Sequence, residues 1–261
     1  MDYIKINKEN WNKRCENHFS SDFYNNNEFI NGKSSLNQIE LEMLGDIRNK
    51  KIIHLQCHFG QDSISLERMG ANVIGIDLSD KSIEKAKELN NLCKTNVEFV
   101  CCDVYDTLKY VNSKFDIVFT SYGTIGWLPD LDRWAKVING LLNKNGKLIF
   151  VEFHPFIWMY DNELNNIQYS YFNKELIYEK YEGSYADKSN VIYESVGWNH
   201  PLSEVFQSLK SNGLEINNFN EFNYSPYRIF NDMKEIEDNK YIISKFSDKI
   251  PLVYSIEAVK L

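Results

Sequence analysis

Two periods govern the apolar positions of this chain. Lys51 to Leu55 (KIIHL) and Val73 to Ile76 are short β-branched runs of the kind buried on both faces of a parallel sheet. Between them Asp62 to Met69 reads as a helix, ended by Gly70, a residue free to take positive φ. With Gly60 in the polar loop and Asp77 closing the second run, the order is strand, loop, helix, strand, acid. That is the layout of a nucleoside-binding βαβ unit. Backbone N–H groups of such a loop can approach a ligand, and a carboxylate at the second strand end can take both ribose hydroxyls.

The alternation continues. Ser79 opens a helix in which Ile83, Ala86, Lys87 and Asn90 recur, and Val97 to Cys101 is a third strand followed by Asp103. Phe115 to Phe119 is a fourth, leading into the loop TSYGTIGWLPD. Asp130 caps an amphipathic helix with Leu131, Trp134, Ala135, Ile138, Leu141 and Leu142 inward. The NKNG turn precedes a fifth strand, Lys147 to Phe153. Upstream, Ser35 and Gln38 have capping-box spacing ahead of a helix carrying Leu36, Ile39, Met43, Leu44 and Ile47. Strands alternating with helices predict an α/β fold, a parallel sheet with helices on both faces.

Residues 155–197 break the pattern. Dense in aromatics and without helical periodicity, they read as short antiparallel strands and loops just past strand five, on the edge where open α/β sheets bind ligands. A helix from Pro201 to Asn212, stopped by Gly213, and apolar segments Leu214 to Phe222 and Leu252 to Val259 close the chain. The N-terminal segment is polar but holds Trp11, Phe19, Phe23, Tyr24 and Phe29, too many aromatics for a disordered tail, so it is expected to pack on the main body.

Composition narrows the function more than the fold. The 261 residues can bury one large core, and a net charge of −8 argues against a nucleic-acid partner. No apolar run is long enough to span a membrane and no signal-peptide core precedes Trp11, so a cytoplasmic location without a membrane partner is expected. Five cysteines without a CxxC pair suit reduced thiols. Oligomeric state is not encoded legibly.

The loop QCHFGQD decides between cofactors. A dinucleotide needs G-x-G-x-x-G, with glycine where the pyrophosphate approaches; here only Gly60 is glycine and His58 crowds that approach. A cofactor requiring ribose and adenine contacts alone tolerates the loop better.

With HLQCHFGQD followed by Asp77, Asp103 and the TSYG loop, the chain resembles the class I S-adenosylmethionine-dependent methyltransferases, in particular bacterial members with HLQCHFGQD in place of the glycine-rich loop. The likeness runs from about Ile52 to Pro155 and resumes through WNHPLSEV, FNYSPY and IPLVYSIEAVK. The resemblance implies a Rossmann-like, seven-stranded, mostly parallel sheet whose last two segments form an antiparallel hairpin, and S-adenosylmethionine as cofactor. It implies that Gln56, Cys57, His58 and Gly60 cradle the methionine part, that Asp77 holds the ribose, that Asp103 with Val104 meets the adenine, and that Leu78 is a further cofactor contact. Thr120, Ser121 and Tyr122 would face the methionine end and the acceptor. The family's usual acid at the first motif position is His54 here, and two usual glycines are Gln56 and His58.

Each candidate has a plainer reading. Asp77 also suits the N-terminus of the next helix, and Asp103 also suits a solvated loop. His54 and His58 span a strand end and a loop, with no ligand set around them, so no metal site is expected. Cys101 and Cys102 are expected to be buried, inert thiols. His154, ending strand five in EFHP, is either a general base or a hydrogen-bonded structural histidine; Tyr122 and His200 are lesser candidates. The aromatic insertion is expected to line a substrate pocket.

The expected organisation is one methyltransferase domain over 1–261: an N-terminal cap segment (1–50), a cofactor core (51–154), a cap insertion (155–197) and a closing helix with antiparallel strands (198–261). The expected activity is methyl transfer to a small-molecule acceptor through a nitrogen or oxygen nucleophile. A catalytically silent binding module of the same fold and a nucleotide-cofactor oxidoreductase are the alternatives.

Overall fold

A computed structural model describes the backbone of residues 1–261 and the side chains of all but 187–189. The chain runs α1 (Tyr3–Phe19), α2 (Asn26–Ile30), α3 (Gln38–Leu44), β1 (Lys51–Leu55), α4 (Gln61–Arg68), β2 (Asn72–Asp77), α5 (Asp80–Cys93) and β3 (Glu98–Cys101). It continues α6 (Thr107–Tyr110), β4 (Phe115–Ser121), α7 (Leu131–Leu141), β5 (Leu142–Phe153), β6 (Ile177–Ser184), β7 (Asp187–Gly197) and α8 (Leu202–Ser211). It closes with β8 (Leu214–Phe222), β9 (Met233–Glu237), β10 (Lys240–Ile243) and β11 (Val253–Lys260).

The main sheet has the order β3-β2-β1-β4-β5-β11-β8, seven strands. β3, β2, β1, β4 and β5 are mutually parallel, and β11 lies antiparallel between β5 and β8. The order reverses between β1 and β4, so a crevice opens at their carboxyl ends. β1 and β4 are apolar on both faces because both faces are covered. Leu55, Val118, Trp134, Phe150 and Leu209 are buried on one side; Ile52, Ile64, Leu89 and Phe119 are buried on the other.

Local chemistry sets most boundaries. Ser79 Oγ accepts from Ser82 N at the start of α5, and Asp130 accepts from Arg133 N at the start of α7. Gly70 (φ 94°) and Gly213 (φ 75°) follow helix ends in the left-handed region, as expected.

Four expectations need correction. The third helix starts at Gln38, with Asn37 and Glu40 forming the capping box, because the Ser35 hydroxyl donates instead to Asp62 Oδ1 at 2.6 Å. β5 begins at Leu142, which pairs with Phe115; the chain turns at Asn145 (φ 62°) within it. Cys101 is exposed, since its strand is the sheet edge, whereas Cys102 is buried. β8 and β11 pair as expected, but the connection between them carries a further hairpin, β9–β10.

The N-terminal segment packs on the body, as a helix that apolar periodicity did not announce. The residues α1 buries are Asn7, Asn10, Arg14, Cys15 and His18, four of them polar. Asn7 exchanges two hydrogen bonds with the backbone of Val196 (2.8 and 2.9 Å), as a neighbouring strand would, and Asn10 donates to Glu194 O at 2.6 Å. α1 thus binds β7 through amides. Among the described residues no helix is long and apolar enough to cross a membrane.

Candidate functional site

The loop after β1 is the floor of the site. Gln56 (φ 56°), His58 (φ 51°) and Gly60 (φ 82°) are all left-handed, which curls the chain back over the strand end. At Gly60 a side chain is excluded, since a Cβ would stand 2.5 Å from the Phe99 ring. The curl turns the His58 N–H onto Asp77 Oδ2 at 2.7 Å, while Ser79 N–H donates to Oδ1 at 2.8 Å. Two donors leave each carboxylate oxygen a further lone pair. Burial pushes Asp77 up to about 6, against the pull of these N–H groups.

The crevice above encloses about 1080 Å³. Its wall includes Gln56, Cys57, His58 and Gly60 from the β1 loop, Asp77 and Leu78 from β2, and Asp103 and Val104 after β3. Ser121, the last residue of β4, and Tyr122, just past it, join them. Thr120 does not: it is fully buried, because successive strand residues point to opposite faces. Asp103 Oδ1 accepts from Tyr105 N at 2.9 Å, so this acid also caps the following turn. From the aromatic insertion, Trp158, Tyr160, Tyr169, Tyr181 and Tyr185 reach the wall.

His154 is corrected to a structural residue. It is not on the wall; its Nδ1 accepts from Phe156 N at 3.1 Å and its Nε2 donates to Glu221 at 3.0 Å. Burial lowers its pKa, with Glu221 opposing, so both ring nitrogens are committed and the ring is poorly basic. His154→Ala is expected to cost about 2 kcal/mol in urea denaturation, while turnover per folded molecule is unchanged. His200 is tied in the same way, through Nε2 to Leu128 O at 2.8 Å and Nδ1 to Glu204 at 3.2 Å. His54 and His58 part company: His54 Nδ1 bonds Ser63 Oγ at 2.8 Å, whereas the His58 ring packs 5.2 Å from Trp11 and 4.2 Å from Phe59.

Several residues of the site lie outside the motif reading. Glu152, buried, accepts from the N–H groups of Gly123, Thr124 (2.7 Å) and Ile125 (3.1 Å) and so pins the loop after β4. Its signal was a lone charge inside the apolar run LIFVEF. Glu40 accepts the Tyr122 phenol proton at 2.8 Å, and burial, reinforced by the field of Asp62, raises it to about 7. Asp62 in turn accepts from Ser121 Oγ at 3.2 Å. Tyr122 itself (φ 47°) is held well above the usual phenol range by burial and by Glu40.

Unpartnered atoms indicate what the crevice accommodates. Gln56 Nε2 donates to Thr124 O at 2.9 Å, but Gln56 Oε1 and His58 Nε2 are buried without a partner. Orphaned buried polar atoms are costly unless a ligand satisfies them. Together with the Asp77 carboxylate on the same wall, these atoms suit an adenosyl group carrying a polar amino-acid end.

Residues 53–150 match the model of a methyltransferase domain. An uncharacterised methyltransferase of Synechocystis is 29% identical over 133 residues, 50% of this chain and 60% of that protein. A ubiquinone biosynthesis O-methyltransferase of Coxiella burnetii is 25% identical over 182 residues, 70% of each. An uncharacterised RNA methyltransferase of Clostridium acetobutylicum is 28% identical over 48% of this chain but 26% of its own length. The chain spans 51%, 60% and 26% of the first three curated relatives. Among solved structures, an S-adenosylmethionine-dependent methyltransferase of Clostridium acetobutylicum superposes with TM-score 0.59 at 15% identity, covering 92% of this chain and 93% of that one. Magnesium protoporphyrin IX methyltransferase of Synechocystis, with S-adenosylhomocysteine bound, gives 0.58 at 14% identity over the full length of both. At these identities the two structures establish the fold.

Proposed function

We propose that this chain, whose residues 53–150 match a methyltransferase domain, is a class I S-adenosylmethionine-dependent methyltransferase that methylates a small molecule at nitrogen or oxygen. The observation that carries this reading is Asp77, a half-buried carboxylate at the tip of β2, oriented by two backbone N–H groups on the crevice floor. When bound, S-adenosylmethionine supplies a methyl group already activated by its positive sulfur. Asp77 would hold the ribose hydroxyls, Leu78 and Val104 the adenine faces, and Gln56 and His58 the amino-acid end. Alignment and exclusion of water are then the protein's main tasks. α1 and the β6–β7 hairpin, joined by the asparagine amides, roof the crevice and serve the second task.

Tyr122 and Glu40 are the residues we assign to the acceptor's proton. Tyr122 is on the crevice wall, and its phenol proton already points at Glu40 Oε2, so Oη is left to accept. As the acceptor loses its proton to Oη, the phenol proton passes to Glu40, and no phenolate is required.

A small acceptor is favoured over RNA by charge. The wall carries Asp62, Asp77, Asp103, Glu152, Glu179 and Glu182 in a protein of net charge −8, the opposite of a phosphate-binding surface. Calorimetry is expected to give S-adenosylhomocysteine a far tighter affinity than NAD; the reverse order would overturn the reading.

A further inference from the structure

Among the described residues, Arg14 is a buried cation without a counter-ion. Its side chain is on the crevice wall, yet the residue is only 7% exposed. Its guanidinium carbon lies 5.1 Å from the Trp11 ring, 5.9 Å from Trp127, 5.5 Å from Tyr181 and from Tyr193, and 6.0 Å from Tyr185. One Nη donates to the Tyr181 hydroxyl, and Nε has no partner. Among the described residues no carboxylate pairs with it, whereas Lys8, also on α1, meets Asp80 at 2.9 Å. Aromatic faces offset part of the cost of burying a guanidinium, but not a missing acceptor at Nε.

We propose that Arg14 binds a carboxylate of a small molecule held in the crevice. The inference rests on the methyltransferase reading of the same site and adds the charge its ligand must carry. Position supports it. α1 runs along the crevice: Tyr3 feels the charge of Asp103, Asn12 Oδ1 accepts from Ser79 Oγ at 2.6 Å beside Asp77, and Trp11 meets His58 edge-on at 5.2 Å. Tyr3 to Arg14 is a rise of about 16 Å, from the adenine side to the side where His58 Nε2 is also unpartnered. The fork of a guanidinium suits a planar carboxylate. A phosphate dianion would add a second negative charge to a wall already rich in acids. Two sources offer a carboxylate here: the cofactor's amino-acid end and the acceptor.

Titration calorimetry separates them, using S-adenosylhomocysteine and 5′-methylthioadenosine, which lacks the amino-acid end. If the cofactor's carboxylate is the occupant, Arg14→Gln weakens S-adenosylhomocysteine roughly 30-fold and leaves 5′-methylthioadenosine unaffected. Arg14→Lys, which keeps charge but not the fork, falls between. If the acceptor's carboxylate is the occupant, both adenosine ligands are indifferent to the variants. Benzoate but not benzamide, added to protein saturated with S-adenosylhomocysteine, then quenches tryptophan fluorescence in the wild type and not in Arg14→Gln. Indifference of all these ligands to both variants, or benzoate inert on the wild type when the adenosine ligands are indifferent, overturns the proposal. Failure of the wild type to bind either adenosine ligand overturns instead the cofactor reading beneath it.

Discussion

Asp77→Ala is expected to weaken S-adenosylhomocysteine binding by roughly 10²- to 10⁴-fold in calorimetry. Two hydrogen bonds from ribose hydroxyls to an ionised carboxylate are worth about 1.5–3 kcal/mol each. The substitution also releases the N–H groups of His58 and Ser79, so the β1 loop loses its tether to β2. Asp77→Asn keeps the shape and one acceptor but not the charge, and should fall between. Acidity gives an independent reading. The free protein's Asp77 ionises near 6, while hydroxyl donors favour the ionised form. Affinity should therefore decline as pH falls below about 6 in the wild type and not in Asp77→Asn. Stability runs the other way. A carboxyl whose folded pKa exceeds its ordinary 3.8 leaves the folded state binding more protons than the unfolded one between about 4 and 6. Stability from this group is full below that window and is lost as pH rises through it, by roughly 3 kcal/mol. Without cofactor at neutral pH, Asp77→Asn should melt above the wild type. An unchanged affinity in Asp77→Ala would remove the ribose assignment.

What the sequence made legible divides along a physical line. β1, α4, β2 and Asp77 could be read because period, caps and burial ask for the same residues there. α1 was hidden because its inward face meets a ligand crevice and the amides of β7, so the face is polar and leaves no apolar stripe. Arg14 was invisible for the same reason. The two misplaced candidates lie at strand ends, Thr120 next to the last residue of β4 and His154 just past β5. Thr120 and Ser121 alternate along β4, so only one of them faces the crevice and Thr120 is turned inward, while Tyr122 lies past the strand end. At the end of β5 it is Glu152 that reaches the loop after β4, while His154 turns to Glu221 on β8. Glu40 looked like an ordinary capping acid, and it is one, since Oε1 accepts from Asn37 N at 3.3 Å. Its second oxygen reaches Tyr122, 82 positions away, a partnership no local pattern announces.

That pair carries the second large effect. Tyr122→Phe and Glu40→Gln are each expected to slow methyl transfer about 10²-fold, followed as S-adenosylhomocysteine formation with an acceptor drawn from small amines, phenols and carboxylic acids. Affinity for the cofactor product should stay as in the wild type, because neither group meets Asp77, Gln56 or His58. Only ionised Glu40 can receive the phenol proton, so the wild-type rate should rise with pH through about 7 and level off above it. Glu40→Gln should flatten that profile. The amide oxygen can still accept from Asn37 N, so the cap on α3 survives and a folding defect does not imitate the result. Stability supplies the counter-check. Burial raises Glu40 from its ordinary 4.5 to about 7, so the folded state holds a proton the unfolded chain has released. The stability from this group is full below about 4.5 and lost as pH climbs to 7, roughly 3 kcal/mol in all. At pH 8 the glutamine variant should be the slower enzyme and the more stable protein. Wild-type turnover with an unaltered pH profile in both variants would place the acceptor's proton elsewhere and leave Glu40 a buried cap.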